Sequence, residues 1–195
     1  MNKRNIFLFF AAAVIFLVFT FSFCGHPAEK ITTKVDTVLA KVTSKDMVKD
    51  SDAVILGTVN GLKTTIAASN LRPEEKDIVT DVSISVEKYL SNSKNISAKE
   101  VVVRVLGGTI GNKTMISENS PVFENGQRVV VFLKKGDNDI FTVYGWAQGK
   151  YTVDDSNIAS LGKENDIFKG IFGKNMTLNE FEEEIKTLES DPSQN

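Results

Sequence analysis

The chain of 195 residues holds one cysteine, one histidine and one tryptophan, and each scarcity removes a class of chemistry. Cys24 stands alone, so no internal disulfide is available and the folded part must hold itself together through its core. His26 lies beside the apolar N-terminal run, so a Ser-His-Asp or Cys-His arrangement has no base in the folded part. Zinc sites lean on the same two residue types. Basic residues are not in excess either. Beyond residue 24 there are 21 Lys plus Arg against 25 Asp plus Glu, a net charge of −4, which gives nucleic acid nothing to bind.

What is plentiful comes first in the chain. Lys3 and Arg4 precede Ile6 to Cys24, 19 residues without charge that contain 7 of the 13 phenylalanines. At about 1.5 Å per residue, a helix of that length spans roughly 28 Å, close to the hydrocarbon thickness of a bilayer. The basic flank predicts that the remainder lies outside the cytoplasm. The run is longer than the apolar core of a signal peptide, which favours an uncleaved anchor. A cleaved signal with Thr20-Phe21-Ser22 at the cut stands as the alternative. A lipid-modified Cys24 is the third option, although Phe23 occupies a position where that motif wants a small residue. The expected location is the cell membrane with the folded domain extracytoplasmic, or secretion after cleavage.

The remaining chain divides into a polar linker at residues 25–43, a β-rich domain at 44–160 and a helical extension at 161–195. Ser44 to Asp50 reads as a short helix capped by Ser44, with Met47 and Val48 inward. AVILGTVNG, Ala53 to Gly61, reads as a strand closed by an Asn-Gly turn, followed by a long loop from Leu62 to Asp77. From Ile78 to Leu90 the pattern alternates: Val82, Ile84 and Val86 face one way, Asp81, Ser83, Ser85 and Glu87 the other. Val101, Val103 and Val105 alternate around Arg104. Arg128 to Leu133 is apolar on both faces and is expected at the centre. Strands at Ile140 to Gly145 and Lys150 to Val153 follow a hairpin turn at Lys134 to Asp139. Five or six such strands predict a mainly β fold, a small antiparallel barrel of OB-like form. The chain then ends in an amphipathic helix. Thr177 and Glu180 make a capping box, Met176 and Phe181 a staple, and Leu178, Phe181, Ile185 and Leu188 a stripe expected to pack on the barrel. Glu182, Glu183, Glu184 and Glu189 form its solvent face.

One stretch imitates a nucleotide site. Gly107 to Thr114, GGTIGNKT, approaches the phosphate-binding loop, but Asn112 replaces its second glycine. That loop also needs a helix beginning at its lysine, and MISENSPVFENG denies one after Thr114. No nucleotide and no cofactor is therefore expected. Asp137-Asn138-Asp139 and Asp154-Asp155-Ser156-Asn157 carry oxygen ligands but lack the glycine and terminal glutamate of a calcium loop, so both read as solvated turns and no metal is expected. No catalytic residue stands out, and the chain reads as a non-enzyme.

GWAQGKY, Gly145 to Tyr151, is the most distinctive local feature. It predicts a tight corner with the indole buried and Gln148 bonding backbone; alternatively Trp146, Gln148 and Lys150 form an interaction patch for an extracellular protein partner. Sequons at Asn95, Asn112 and Asn175 are candidate glycosylation sites in an exported protein.

Four stretches together carry a resemblance: Ser51 to Val59, SDAVILGTV; Leu106-Gly107-Gly108; Phe123 to Leu133, FENGQRVVVFL; and Tyr144 to Tyr151, YGWAQGKY. From Asp50 to Val153 the chain resembles a group of uncharacterised exported proteins of archaea and bacteria. At fold level it is similar to the netrin-like domain, the OB-type barrel of tissue inhibitors of metalloproteinases. That resemblance implies the barrel without the inhibition, because the inhibitors chelate protease zinc through a disulfide-bonded N-terminal cysteine and Cys24 has no partner. The reading is a binding or interaction module; the alternatives are a hydrolase using carboxylates of the Leu62 to Asp77 loop and the turns, or a cell-surface protease inhibitor.

Overall fold

The computed structural model describes residues 29–36, 39–69, 74–160 and 175–190. The expected membrane segment, Cys24, His26, residues 161–174 and the tail lie outside the described residues. No helix among the described residues is long and apolar enough to cross a membrane.

From Ile31 onward the order is β1 (Ile31–Val35), α1 (Ser44–Asp50), β2 (Ala53–Ala68), β3 (Lys76–Ser91), β4 (Glu100–Leu106), β5 (Gly108–Ile110), β6 (Lys113–Ser117), β7 (Arg128–Lys135), β8 (Ile140–Val143), β9 (Lys150–Val153), β10 (Ile158–Ser160), β11 (Met176–Thr177) and α2 (Leu178–Ser190). The protein is mainly β, with a C-terminal helix. Its principal sheet has eight strands in the order β11-β10-β9-β7-β2-β3-β4-β8, and β8 pairs with β7 as well. This is a wider sheet than the expected five or six strands, and not a clear barrel throughout. A second sheet, β1-β6-β5, was not foreseen.

Strand β7 explains how the layers form. Its alternate residues enter two different cores. Val129, Val131 and Leu133 join Ile55, Val59, Val82, Ile84, Val101, Val103 and Phe141 on one side. Val130 and Phe132 face the other way, toward Met47, Val48, Tyr151, Phe181 and Ile185. Both faces are dry, which is why the run is apolar at every position. In the second core Phe132, Tyr151 and Phe181 meet with ring centroids 5.1 to 6.3 Å apart, and this cluster fixes α2 on the sheet.

Both helices begin as capped elements. At α2 the Thr177 Oγ1 accepts from the Glu180 N–H at 3.3 Å while the Glu180 Oε2 accepts from the Thr177 N–H at 2.8 Å, completing the capping box. The apolar stripe packs inward as expected. Its acidic face is less free: Glu182 pairs with Lys88 and Glu189 accepts from the Ser91 hydroxyl. At α1 the cap is Thr43, one residue before the expected Ser44, because Thr43 Oγ1 accepts from the Asp46 N–H.

The largest correction concerns Leu62 to Asp77. Asn60-Gly61 does not turn the chain. The pairing passes from Val59 opposite Ile84 to Gly61 opposite Ser83, leaving Asn60 as a bulge. Strand β2 then runs on to Ala68 and β3 begins at Lys76, so most of the expected loop is a β-ribbon. The β-branched Thr64, Thr65 and Ile66 suit that ribbon, whereas Asn-Gly marks a turn or a bulge with the same letters.

The linker is also corrected. Residues 31–35 pair in parallel with β6, and the Gln148 side chain donates to the Ala40 carbonyl and accepts from the Val42 N–H. Part of the presumed linker is therefore docked.

Candidate functional site

Strands β4, β5 and β6 bring the GGTIGNKT stretch to the outer half of the β2–β3 ribbon. Gly107 and Gly108 have φ of 109° and 137°, and a Cβ on Gly108 would lie 2.6 Å from the Thr64 side chain and 2.7 Å from the Thr80 hydroxyl. Glycine lets β5 cross that closely. Lys113 opens strand β6 rather than a helix, so the fold places a hairpin where a phosphate loop requires a helix N-terminus.

The crossing leaves two hollows on either side of Ser120 and Pro121, which line both together with Val105 and Leu106. The larger has a volume of about 340 Å³. Its wall is Leu62, Val82, Val105, Met115 and Phe123, and among the described residues no ionisable one lines it. At its rim Leu62, Ile116 and Val122 are 41, 43 and 54 % exposed. Thr64 and Thr80 line it too, but their hydroxyls bond each other and Thr80 donates to the Gly107 carbonyl. Ser117 and Ser120 differ: both hydroxyl oxygens are buried without a hydrogen-bond partner.

The smaller hollow, about 190 Å³, is lined by Asp77, Val79, Arg104, Thr142 and Trp146 among others. Arg104 forks onto Asp81, Nε to Oδ1 at 2.7 Å and Nη2 to Oδ2 at 2.8 Å. The Asp81 carboxylate raises the guanidinium above its ordinary value, against burial, and fixes its plane.

Trp146 has φ of 56° in the turn Trp146–Gly149. The other non-glycine residues with positive φ, among those described, are Asn95, Asn138, Asp139 and Asn157, types that tolerate this region. A bulky aromatic does not, so the corner holds strain beside the cleft.

The expected patch is not assembled as one surface. Trp146 is half-buried and lines the smaller hollow, whereas Gln148 and Lys150 are buried at 4 and 7 % exposure. Gln148 does bond backbone, at Ala40 and Val42. Lys150 places its Nζ 5.4 Å from the centre of the Phe123 ring and 3.1 Å from the Thr152 hydroxyl, so it backs the cleft wall instead of presenting charge. Of the sequon residues, Asn95 and Asn175 are exposed and Asn112 is half-buried; the Asn112 carbonyl accepts from the Ile31 N–H.

Neither acidic turn gathers carboxylates for a cation. Asp154 Oδ1 accepts the Ser156 and Ile158 N–H groups, and Asp139 pairs with Lys135. Among the described residues no three His, Cys, Asp or Glu are placed to hold a metal. Among the described residues Asp77 is the one carboxylate lining either hollow.

The sequence offered a signal for β6, the strand-favouring run Thr114-Met115-Ile116, but none for the buried serines, which depend on packing between distant segments. No protein-family model matches this chain, and no curated protein matches it.

Proposed function

We propose that this chain is an extracytoplasmic binding or interaction module, held at the cell membrane through residues 6–24 or secreted if that segment is cleaved. Its body is an OB-type barrel. In support, β2, β3, β4, β8 and β7 are hydrogen-bonded in a cycle, with β4–β8 parallel and the other pairs antiparallel, the connectivity that closes a five-stranded barrel. Kinship with exported proteins of this shape is proposed with it.

The observation that carries the function is the apolar cleft. Of the five large apolar residues exposed among those described, three rim the larger hollow, and an apolar concavity with a few polar groups is what a ligand site requires. A hydrolase of the two-carboxylate kind is the weaker reading, since that chemistry needs a pair of acids and, among the described residues, Asp77 is the one carboxylate that lines the hollows. The test places a photo-crosslinking amino acid at Ile116 or at exposed Asn95 in the full chain, in its native membrane. An adduct formed at 116 and not at 95 is expected. The same adducts at both positions would remove the reading.

A further inference from the structure

We infer that the rim of the cleft rests on the lipid bilayer, its exposed apolar side chains entering the boundary between headgroups and acyl chains. This rests on the cleft being the binding site and on residues 6–24 being kept as an anchor, and it names the partner as lipid. Among the described residues the large apolar ones left exposed are Ile31, Leu62, Ile66, Ile116 and Val122, and all lie on or beside this rim. Leu62, Ile116 and Val122 line the larger hollow. Ile66 follows Leu62 on β2 at an even spacing, in a stretch of unbroken register with β3, so the two share a face of the strand. Ile31 opens β1 in register with Lys113, on the same strand as Ile116.

The length of the chain before β1 favours a bilayer over other occupants of this rim. Residues 25–30 join the apolar run to β1, and a stretch of that length reaches at most about 22 Å when fully extended. The Ile31 N–H then bonds the Asn112 carbonyl at 2.8 Å. An anchored chain is therefore tied to its bilayer, by a short tether, at the strand pair that carries Ile31 and Ile116. Lys34, Lys63 and Lys113 are exposed among these residues, and a lysine lays its methylene stem on apolar surface while its ammonium stays in the polar layer. Glu118, also exposed, lies just past Ile116 on the chain. Charge is thus mixed here, and insertion of apolar side chains carries the contact.

The test uses the full chain carrying Cys24→Ser in phosphatidylcholine vesicles, with one further substitution at a time: Ile66→Cys, Ile116→Cys or Val122→Cys, and Asn95→Cys or Glu183→Cys for comparison. Asn95 and Glu183 are exposed, beyond the other end of β3 and on α2. Each cysteine carries an environment-sensitive dye, and some vesicles contain lipid spin-labelled near the headgroup. Emission of Trp146, the chain's one tryptophan, matched before labelling to the unsubstituted chain, confirms that each variant is folded. Dyes at 66, 116 and 122 are expected to shift to the blue and lose most of their emission to the spin label, while those at 95 and 183 keep theirs. Salt at about 1 M, which screens charges more than about 3 Å apart, should leave that quenching in place; its loss would overturn the apolar contact. Vesicle-bound chain with 66, 116 and 122 no more quenched than 95 would overturn the contact and leave the anchor standing. Chain that separates from the vesicles on flotation would overturn the anchor and the contact with it. Crosslinking at position 116 decides the cleft apart from both: lipid adducts there support the contact, and protein adducts without lipid keep the cleft and overturn the contact.

Discussion

Strand β2 is continuous from Ala53 to Ala68, yet its two halves live differently. Up to Val59 nearly every residue is buried, and beyond the Asn60 bulge most are half-buried or exposed. The near half lies between the two cores and is tied to both β3 and β7; the far half pairs with β3 alone along its edges. The lesson is a division of labour within one hairpin. The near half supplies the stability that lets the far half leave apolar side chains such as Leu62 and Ile66 exposed.

The strongest break between the halves is volume loss. Phe132→Ala empties the aromatic cluster behind the near half and is expected to cost about 3 to 5 kcal/mol, whereas Leu62→Ala on the cleft rim should cost less than about 1 kcal/mol. Urea unfolding midpoints separate these, and equal losses would mean the far half is core. The next contrast uses the two glycines of the strand. A Cβ at Gly57 would lie 2.5 Å from the Ser85 carbonyl oxygen, but at Gly61 it would meet nothing closer than 3.7 Å. Gly57→Ala should therefore cost about 1 to 3 kcal/mol and Gly61→Ala stay within about 0.5 kcal/mol, in the same unfolding assay.

The near end of β2 is also where acid should act. Burial of Asp52 raises its carboxyl, but the Lys135 N–H and the Lys134 ammonium outweigh that and hold it below the ordinary 3.8. A lowered value means the stabilisation is complete above the ordinary value and is lost as pH falls through the folded one. Asp52→Asn should flatten that acid limb in pH-dependent unfolding; an unchanged limb would assign it to other carboxylates. The smallest effect is local. Gln148→Leu removes both hydrogen bonds to the 40–42 segment, at about 1 kcal/mol. It should speed amide exchange at Val42 while leaving the β7 amides protected.

Much of the near half was legible in the letters. Period-two alternation located β3 and β4, and the double-faced apolar run of β7 announced its central place. The capping box and stripe of α2 were equally plain, because these signals are local. The far half was not, since Asn60-Gly61 bulges or turns according to whether a partner strand continues beyond it, and here β3 continues. The second sheet was missed for the same reason: β1 is five mostly exposed residues whose order comes from a partner some 80 positions away. At the candidate site, Trp146 was singled out by composition but Gln148 and Lys150 were expected beside it. Three alternate turn and strand positions point in different directions, and only backbone geometry reveals which.

The left-handed backbone of Trp146 has a consequence for anyone improving this protein. Random screening for heat resistance, or the drift of a lineage under no demand but foldedness, would find position 146 an inviting target, since asparagine or glycine relaxes that corner at once. Each such gain would erase the wall of the smaller hollow and the optical reporter with it. A tryptophan retained there across variants that tolerate change elsewhere would mark the corner as kept for use.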